Sequence, residues 1–101
     1  MSQVADVRKR FAEVAPGWIR DELTGWVSRR IECDSVNEAA RWASAIHRFC
    51  SEKDWSPVLV LQDFGLVIRI SEEKQALREE DLKQRIEGID DVLGEKAFTA
   101  R

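Results

Sequence analysis

Tyrosine is absent from this 101-residue chain, histidine and methionine occur once each, and cysteine and proline twice each. Each scarcity narrows the chemistry. One imidazole and two isolated thiols match no zinc spacing, and they leave proton transfer near neutral pH almost without a carrier. Cys33 and Cys50 fall at apolar positions of different predicted elements, so they read as buried free thiols and not as a disulfide or a metal pair. A basic excess is missing too. Lys and Arg number 16 against 19 Asp and Glu, giving a formal charge of -3, whereas a nucleic-acid-binding domain shows a basic total or a one-sided basic stripe. Nucleic acid is therefore not an expected partner. The longest aliphatic run, Val58 to Leu61, falls far short of a bilayer span, and the charges in MSQVADVRKRF break the apolar core that a signal peptide requires. The expectation is a cytoplasmic chain without membrane contact.

What is present suits one soluble domain. Hydrophobic residues make up 44% of the chain and charged residues 35%, and a chain of this length buries roughly 60–68% of its unfolded surface without needing disulfides or metal. The reading is a single domain over 1–101, with its core at about 4–94 and a flexible tail at 95–101. Val4, Val7, Phe11 and Val14 recur at helical spacing before Pro16-Gly17 stops the run. A strand pair bending at Thr24-Gly25 follows; its second strand turns Val27, Ile31 and Cys33 to one face and Ser28, Arg30 and Glu32 to the other, with Arg29 the odd inward residue.

Ser35-Val36-Asn37-Glu38 has the form of a capping box and opens a second helix whose predicted buried stripe is Val36, Ala39, Ala40, Ala43, Ile46 and Cys50. Pro57 ends that segment. Val58–Leu61 and Leu66–Ile70, joined through Asp63-Phe64-Gly65, read as a hairpin rich in β-branched residues. The last helix places Leu82, Ile86, Ile89 and Leu93 on one side, with Glu79, Glu80 and Asp81 at its positive end and Gly94 as its stop. The order α-β-β-α-β-β-α predicts an α+β fold: a four-stranded antiparallel sheet with helices packed on one face.

Few candidates for catalysis survive scrutiny. Asp63-Phe64-Gly65 matches the magnesium tripeptide of kinases, but no Gly-rich loop or catalytic-loop motif accompanies it, and a hairpin turn explains it. His47, with Ser44 and Asp54 nearby in sequence, lacks a nucleophile elbow and reads as a packed core or interface histidine on the apolar side of its helix. Arg8-Lys9-Arg10, Arg29-Arg30 and Arg41 with Arg48 are ordinary solvated charges unless the fold gathers them. Trp18, Trp26, Trp42 and Trp55 are many indoles for this length. Trp42 lies off the predicted stripe and Trp55 at a chain break, which makes Trp42, Trp55, Arg41 and Arg48 the candidate protein interface.

The chain resembles the pterin-4a-carbinolamine dehydratases. The matching pieces are Gly17-Trp18 opening the first strand, the alternation at Ile31 and Cys33, Asn37-Glu38-Ala39 opening the long helix, Asp54-x-x-Pro57 after it, and a hairpin of the family's length. The resemblance runs from about Gly17 to Val92. In that family the motif after the helix is Asp-His-His-Pro, and a further His lies in the strand after the hairpin; these bind the pterin and move the protons that expel water. At those positions this chain has Trp55, Ser56 and Val67, while Asp54, Pro57 and the acidic position Asp81 match. Indole and isopropyl carry no titratable proton near neutral pH, and a serine without a base transfers one poorly. His47 stands where the family has a small apolar residue.

Read through that resemblance, Asp54, Trp55, Ser56, Pro57, Val67 and Asp81 mark a vestigial pterin site, and no catalytic residue, cofactor or metal is expected. A member stripped of its histidines resembles the pterin-dehydratase-like proteins of carboxysomes, which serve as assembly factors for RuBisCO. The resemblance thus implies a non-catalytic homodimer that binds RuBisCO subunits in the cytoplasm, in association with the carboxysome. Two other uses of the scaffold stay open: an atypical dehydratase relying on Asp81, Ser56 or His47, and a dimeric protein-binding adaptor.

Overall fold

The structure is a computed structural model and describes residues 15–94. The predicted first helix on Val4, Val7, Phe11 and Val14, the Arg8-Lys9-Arg10 cluster and the tail at 95–101 lie outside the described residues. Within them the elements follow the expected order: β1 (Ile19–Asp21), β2 (Trp26–Glu32), α1 (Val36–Glu52), β3 (Val58–Gln62), β4 (Gly65–Ser71) and α2 (Glu79–Leu93). The four strands form one antiparallel sheet in the order β1-β2-β4-β3.

Alternation sets the two faces of the sheet. Val27 and Ile31 on β2, in register with Ile70 and Leu66 on β4, are fully buried together with Ile68, and both helices pack on that side. The opposite strand positions, Ser28, Arg30, Val67 and Arg69, carry no helix among the described residues. Arg29 does point inward, as its position requires, and is only 3% exposed; its guanidinium donates to the Pro16 carbonyl at 2.7 Å. Gly17 makes this possible. Its φ is +87°, and a Cβ there would meet the Arg29 Cζ at 2.7 Å, so both backbone and space demand glycine.

Helix α1 begins as the capping pattern predicts: the Ser35 hydroxyl accepts from Glu38 N at 3.2 Å. The Glu38 carboxylate reaches one residue further back and accepts from Asp34 N at 2.8 Å. Its buried side differs from the predicted stripe. Ala39, Ile46 and Cys50 are buried and Ala43 half-buried, but Val36 and Ala40 are exposed. Helical phase explains this, because Trp42 and Phe49 turn partly into the core and rotate the apolar face away from Ala40. On α2 the four predicted apolar residues, Leu82, Ile86, Ile89 and Leu93, are all buried. Arg20 ties the short edge strand to this layer by pairing with Glu72 and with Glu79 at the start of α2.

Candidate functional site

The segment between α1 and β3 is built first of all as a helix stop. Asp54 N donates to Ser51 O at 3.2 Å and Trp55 N to Cys50 O at 2.8 Å, while Asp54 sits at φ 61°. This is the Schellman arrangement, in which a left-handed residue just past the helix lets the next two amides satisfy the last carbonyls. Asp tolerates that conformation better than most residues. The motif usually brings the following side chain back onto the helix, and Trp55 does so: its ring lies 5.8 Å from that of Phe49 in an edge-to-face contact.

Helix α2 closes the segment from the other side. The Arg85 guanidinium lies 5.4 Å from the Trp55 ring centroid and donates to the Gln75 side-chain oxygen, while Gln75 Nε2 donates to the Ser56 carbonyl at 3.1 Å. Ser56 is thus held by its backbone. Close approach of the two helices here requires Gly88, where a Cβ would come within 2.9 Å of the Phe49 ring and 3.3 Å of Trp55. Lys53 covers the outer side, 5.4 Å from the Phe49 ring and 5.7 Å from Trp55.

Beside this packing lies a shallow cleft lined by Cys50, Trp55, Pro57, Ile70, Arg85 and Ile89, with no enclosed room even for a water molecule. It is small. Sites that bury drug-sized ligands hold roughly 300–1,000 Å³. Burial raises the Cys50 thiol above its ordinary value, opposed by Arg85; burial also lowers Arg85, opposed by Asp81 and Cys50. A thiol moved this way is a poorer nucleophile and proton donor near neutral pH, and Arg85 stays a cation.

The structure brings Asp54, Trp55, Ser56 and Pro57 together on the helix-covered side and leaves Val67 elsewhere. Val67 alternates with the buried Leu66 and Ile68, so it faces the helix-free side of the sheet and does not converge with Trp55. Asp81 is half-buried in the first turn of α2, where its Oδ2 accepts from Arg78 N at 3.2 Å. His47 is exposed, contrary to its expected apolar side, with Nε2 3.5 Å from the Ser51 hydroxyl; it lies one residue from Ile46 and so about 100° around the helix from the core. Among the proposed interface residues Arg41 and Arg48 are exposed, whereas Trp42 and Trp55 are half-buried against the core.

Sequence reasoning passed over Arg85, Gln75 and Gly88. Gly88 carried a usable signal, since a glycine inside an apolar helical pattern marks a close packing partner. Among the described residues no three His, Cys, Asp or Glu side chains are grouped to hold a metal ion. No described helix is long and apolar enough to cross a membrane.

No family model matches the chain, and no curated protein does. Among solved structures, the crystal structure of a transcriptional coactivator/pterin dehydratase from Brucella melitensis is similar, with a TM-score of 0.69 at 9% sequence identity over 85% of this chain and 92% of that one. The likeness is one of fold. This chain has the pterin-dehydratase-like α+β fold, with its four-stranded antiparallel sheet.

Proposed function

We propose that this protein uses the pterin-dehydratase scaffold for binding and not for dehydration, and that it acts as an assembly factor for RuBisCO subunits in association with the carboxysome. The observation that carries the non-catalytic half is the segment Asp54–Pro57. Where the resembled family places two histidines, this chain has an indole packed between Phe49 and Arg85, and a serine whose carbonyl is fixed by Gln75. Dehydration of a carbinolamine needs an acid and a base within hydrogen-bond reach of the leaving hydroxyl, each typically worth about 10²–10⁴-fold. The groups beside this cleft are Cys50, with its raised thiol, and a cationic arginine. Asp81 is engaged with the helix start.

The assembly half rests on the resemblance of a histidine-free member to the carboxysomal subgroup. A homodimer belongs to the same reading. Among the described residues strand β3 pairs only with β4, and Val58, Val60 and Leu61 on it are 41%, 39% and 48% exposed, an apolar edge of the kind that pairs with another strand. A two-fold dimer would present each binding surface twice to a symmetric client. The similar Brucella protein is described as both a coactivator and a dehydratase, which keeps the adaptor use of this scaffold as the second reading.

Co-expression with RuBisCO subunits tests the assembly reading. A higher yield of assembled holoenzyme in the presence of this chain, with physical association to unassembled subunits, is the expected result. Equal yields and no association would remove it, and co-purification with a different protein would favour the adaptor.

A further inference from the structure

The face of the sheet that carries no helix among the described residues combines cations with exposed apolar side chains. Arg69 on β4 stands in register between Ser28 on β2 and Val58 on β3, and Val67 between Arg30 and Val60. The Arg69 guanidinium carbon lies 4.3 Å from the Trp26 ring centroid, and Lys74 Nζ lies 5.7 Å from the same ring. Around these, Ile19 is 72% exposed and Val58 and Val60 about two-fifths exposed. Of the acids at the margin, Glu32 pairs with Arg30 and the Asp21 carboxylate accepts from Leu23 N at 3.0 Å in the β1–β2 turn, while the exposed Glu73 packs beside Gly25. Neither Arg69 nor Lys74 has a carboxylate partner among the described residues. A chain of net charge -3 thus sets two cations without an ion-pair partner on an aromatic ring within an apolar field.

We propose that this face binds an acidic, apolar segment of a partner protein, with its carboxylates on Arg69 and Lys74 and its aliphatic side chains on Ile19, Val58 and Val60. Charge complementarity selects that occupant. Cation-supported aromatics ringed by aliphatic surface are the makings of a binding hot spot, and carboxylates steer and orient a segment against them. Nucleic acid fits less well, because aliphatic side chains occupy the positions where a phosphate backbone needs further cations. The surface lies on the opposite side of the sheet from the Asp54–Pro57 cleft, so it is independent of any remnant of a pterin site. It extends the binding reading to a particular client chemistry and rests on that reading only in that a protein is bound.

The test selects short random peptides displayed on phage against the full chain, then titrates the selected peptides into isotope-labelled protein by NMR. Peptides combining Asp or Glu with aliphatic residues are expected. They should shift amides of β2 and β4 and lose about tenfold or more in affinity on Arg69→Glu, the scale of removing and reversing one partner of a close charge pair. Arg69→Lys should lose less, and Val60→Glu should weaken binding independently of Arg69. Retained amide dispersion in each variant guards against misfolding. Failure to select peptides, basic peptides, shifts confined to α1, or indifference to Arg69→Glu would overturn the proposal. So would Arg69-dependent binding of single-stranded oligonucleotide, or sedimentation showing that Arg69→Glu dissociates a dimer packed through this face. Wild-type-like stimulation of RuBisCO assembly by Arg69→Glu would sink this surface and leave the assembly reading standing.

Discussion

The Arg85 guanidinium lies 5.4 Å from the centre of the Trp55 ring, and this contact locks the segment after α1 against α2. The indole fills the turn that the helix stop creates, and the cation is held over it by its own bond to Gln75. Trp55→Ala should therefore cost about 2 kcal/mol, less than a fully buried tryptophan because the side chain is only partly buried. Arg85→Met should cost about 1 kcal/mol, the worth of a partly exposed cation–π contact with one hydrogen bond. The two losses should not add, since each removes the same contact. Urea unfolding of both single variants and the double variant measures this; strict additivity would mean that the contact contributes nothing.

Gly17 and Arg29 form the second dependency. Gly17→Ala forces a side chain into the left-handed region and into the buried guanidinium, which would have to leave the Pro16 carbonyl. A loss of about 3 kcal/mol is expected, from roughly 1–2 for the backbone and the remainder for the disturbed charged hydrogen bond. Thermal unfolding checks it, and an unchanged midpoint would show that Arg29 relocates freely.

A pH dependence follows from Asp90. Burial raises its carboxyl above the usual aspartate range, an effect that the bond from Trp18 Nε1 at 3.0 Å and the charge of Arg29 only partly offset. A carboxyl raised in the folded state binds its proton more tightly there than when unfolded. Its contribution is thus fully present below the unfolded value, near pH 3.9, and is lost as pH rises through the raised folded value. Asp90→Asn keeps an acceptor for Trp18 and removes the titration. Unfolding free energies measured upward from about pH 4 should fall less steeply with pH in that variant than in wild type, and identical slopes would place the coupling elsewhere.

Much of the fold was legible because local signals and long-range packing agreed. The Ser35 cap, the hairpin around Asp63-Phe64 and the apolar spacing of α2 each rest on residues within a few positions of one another. The phase of α1 was less legible, since Trp42 and Phe49 shift the buried face in a way that depends on what α2 presents opposite. Gly88 supplies that surface from 39 residues beyond Phe49 in the sequence. At the candidate site, Asp54 and Pro57 were placed correctly at the bend, but the clamp of Arg85 and Gln75 on Trp55 and Ser56 was hidden, because no short-range pattern pairs those residues. Val67 illustrates the opposite limit: aligned motifs name positions, but strand parity decides which face they reach, and here it sends Val67 away from Trp55.

That geometry bears on rescue. Trp55→His with Ser56→His replaces the packed indole by a smaller polar ring, and a histidine at Val67 would face the other side of the sheet. The double and triple variants should lose stability by about 2 kcal/mol, as Trp55→Ala does, and gain no dehydratase turnover. Denaturation and activity assays on the same preparations check both halves.

The central claim is that this scaffold binds without acid–base catalysis, and turnover of the 4a-carbinolamine by the wild-type chain at neutral pH tests it most directly. The predicted result is a dehydration rate equal to the buffer background at any protein concentration, with no stereochemical preference. Stereospecific dehydration proportional to protein concentration and abolished by Asp81→Ala would contradict it.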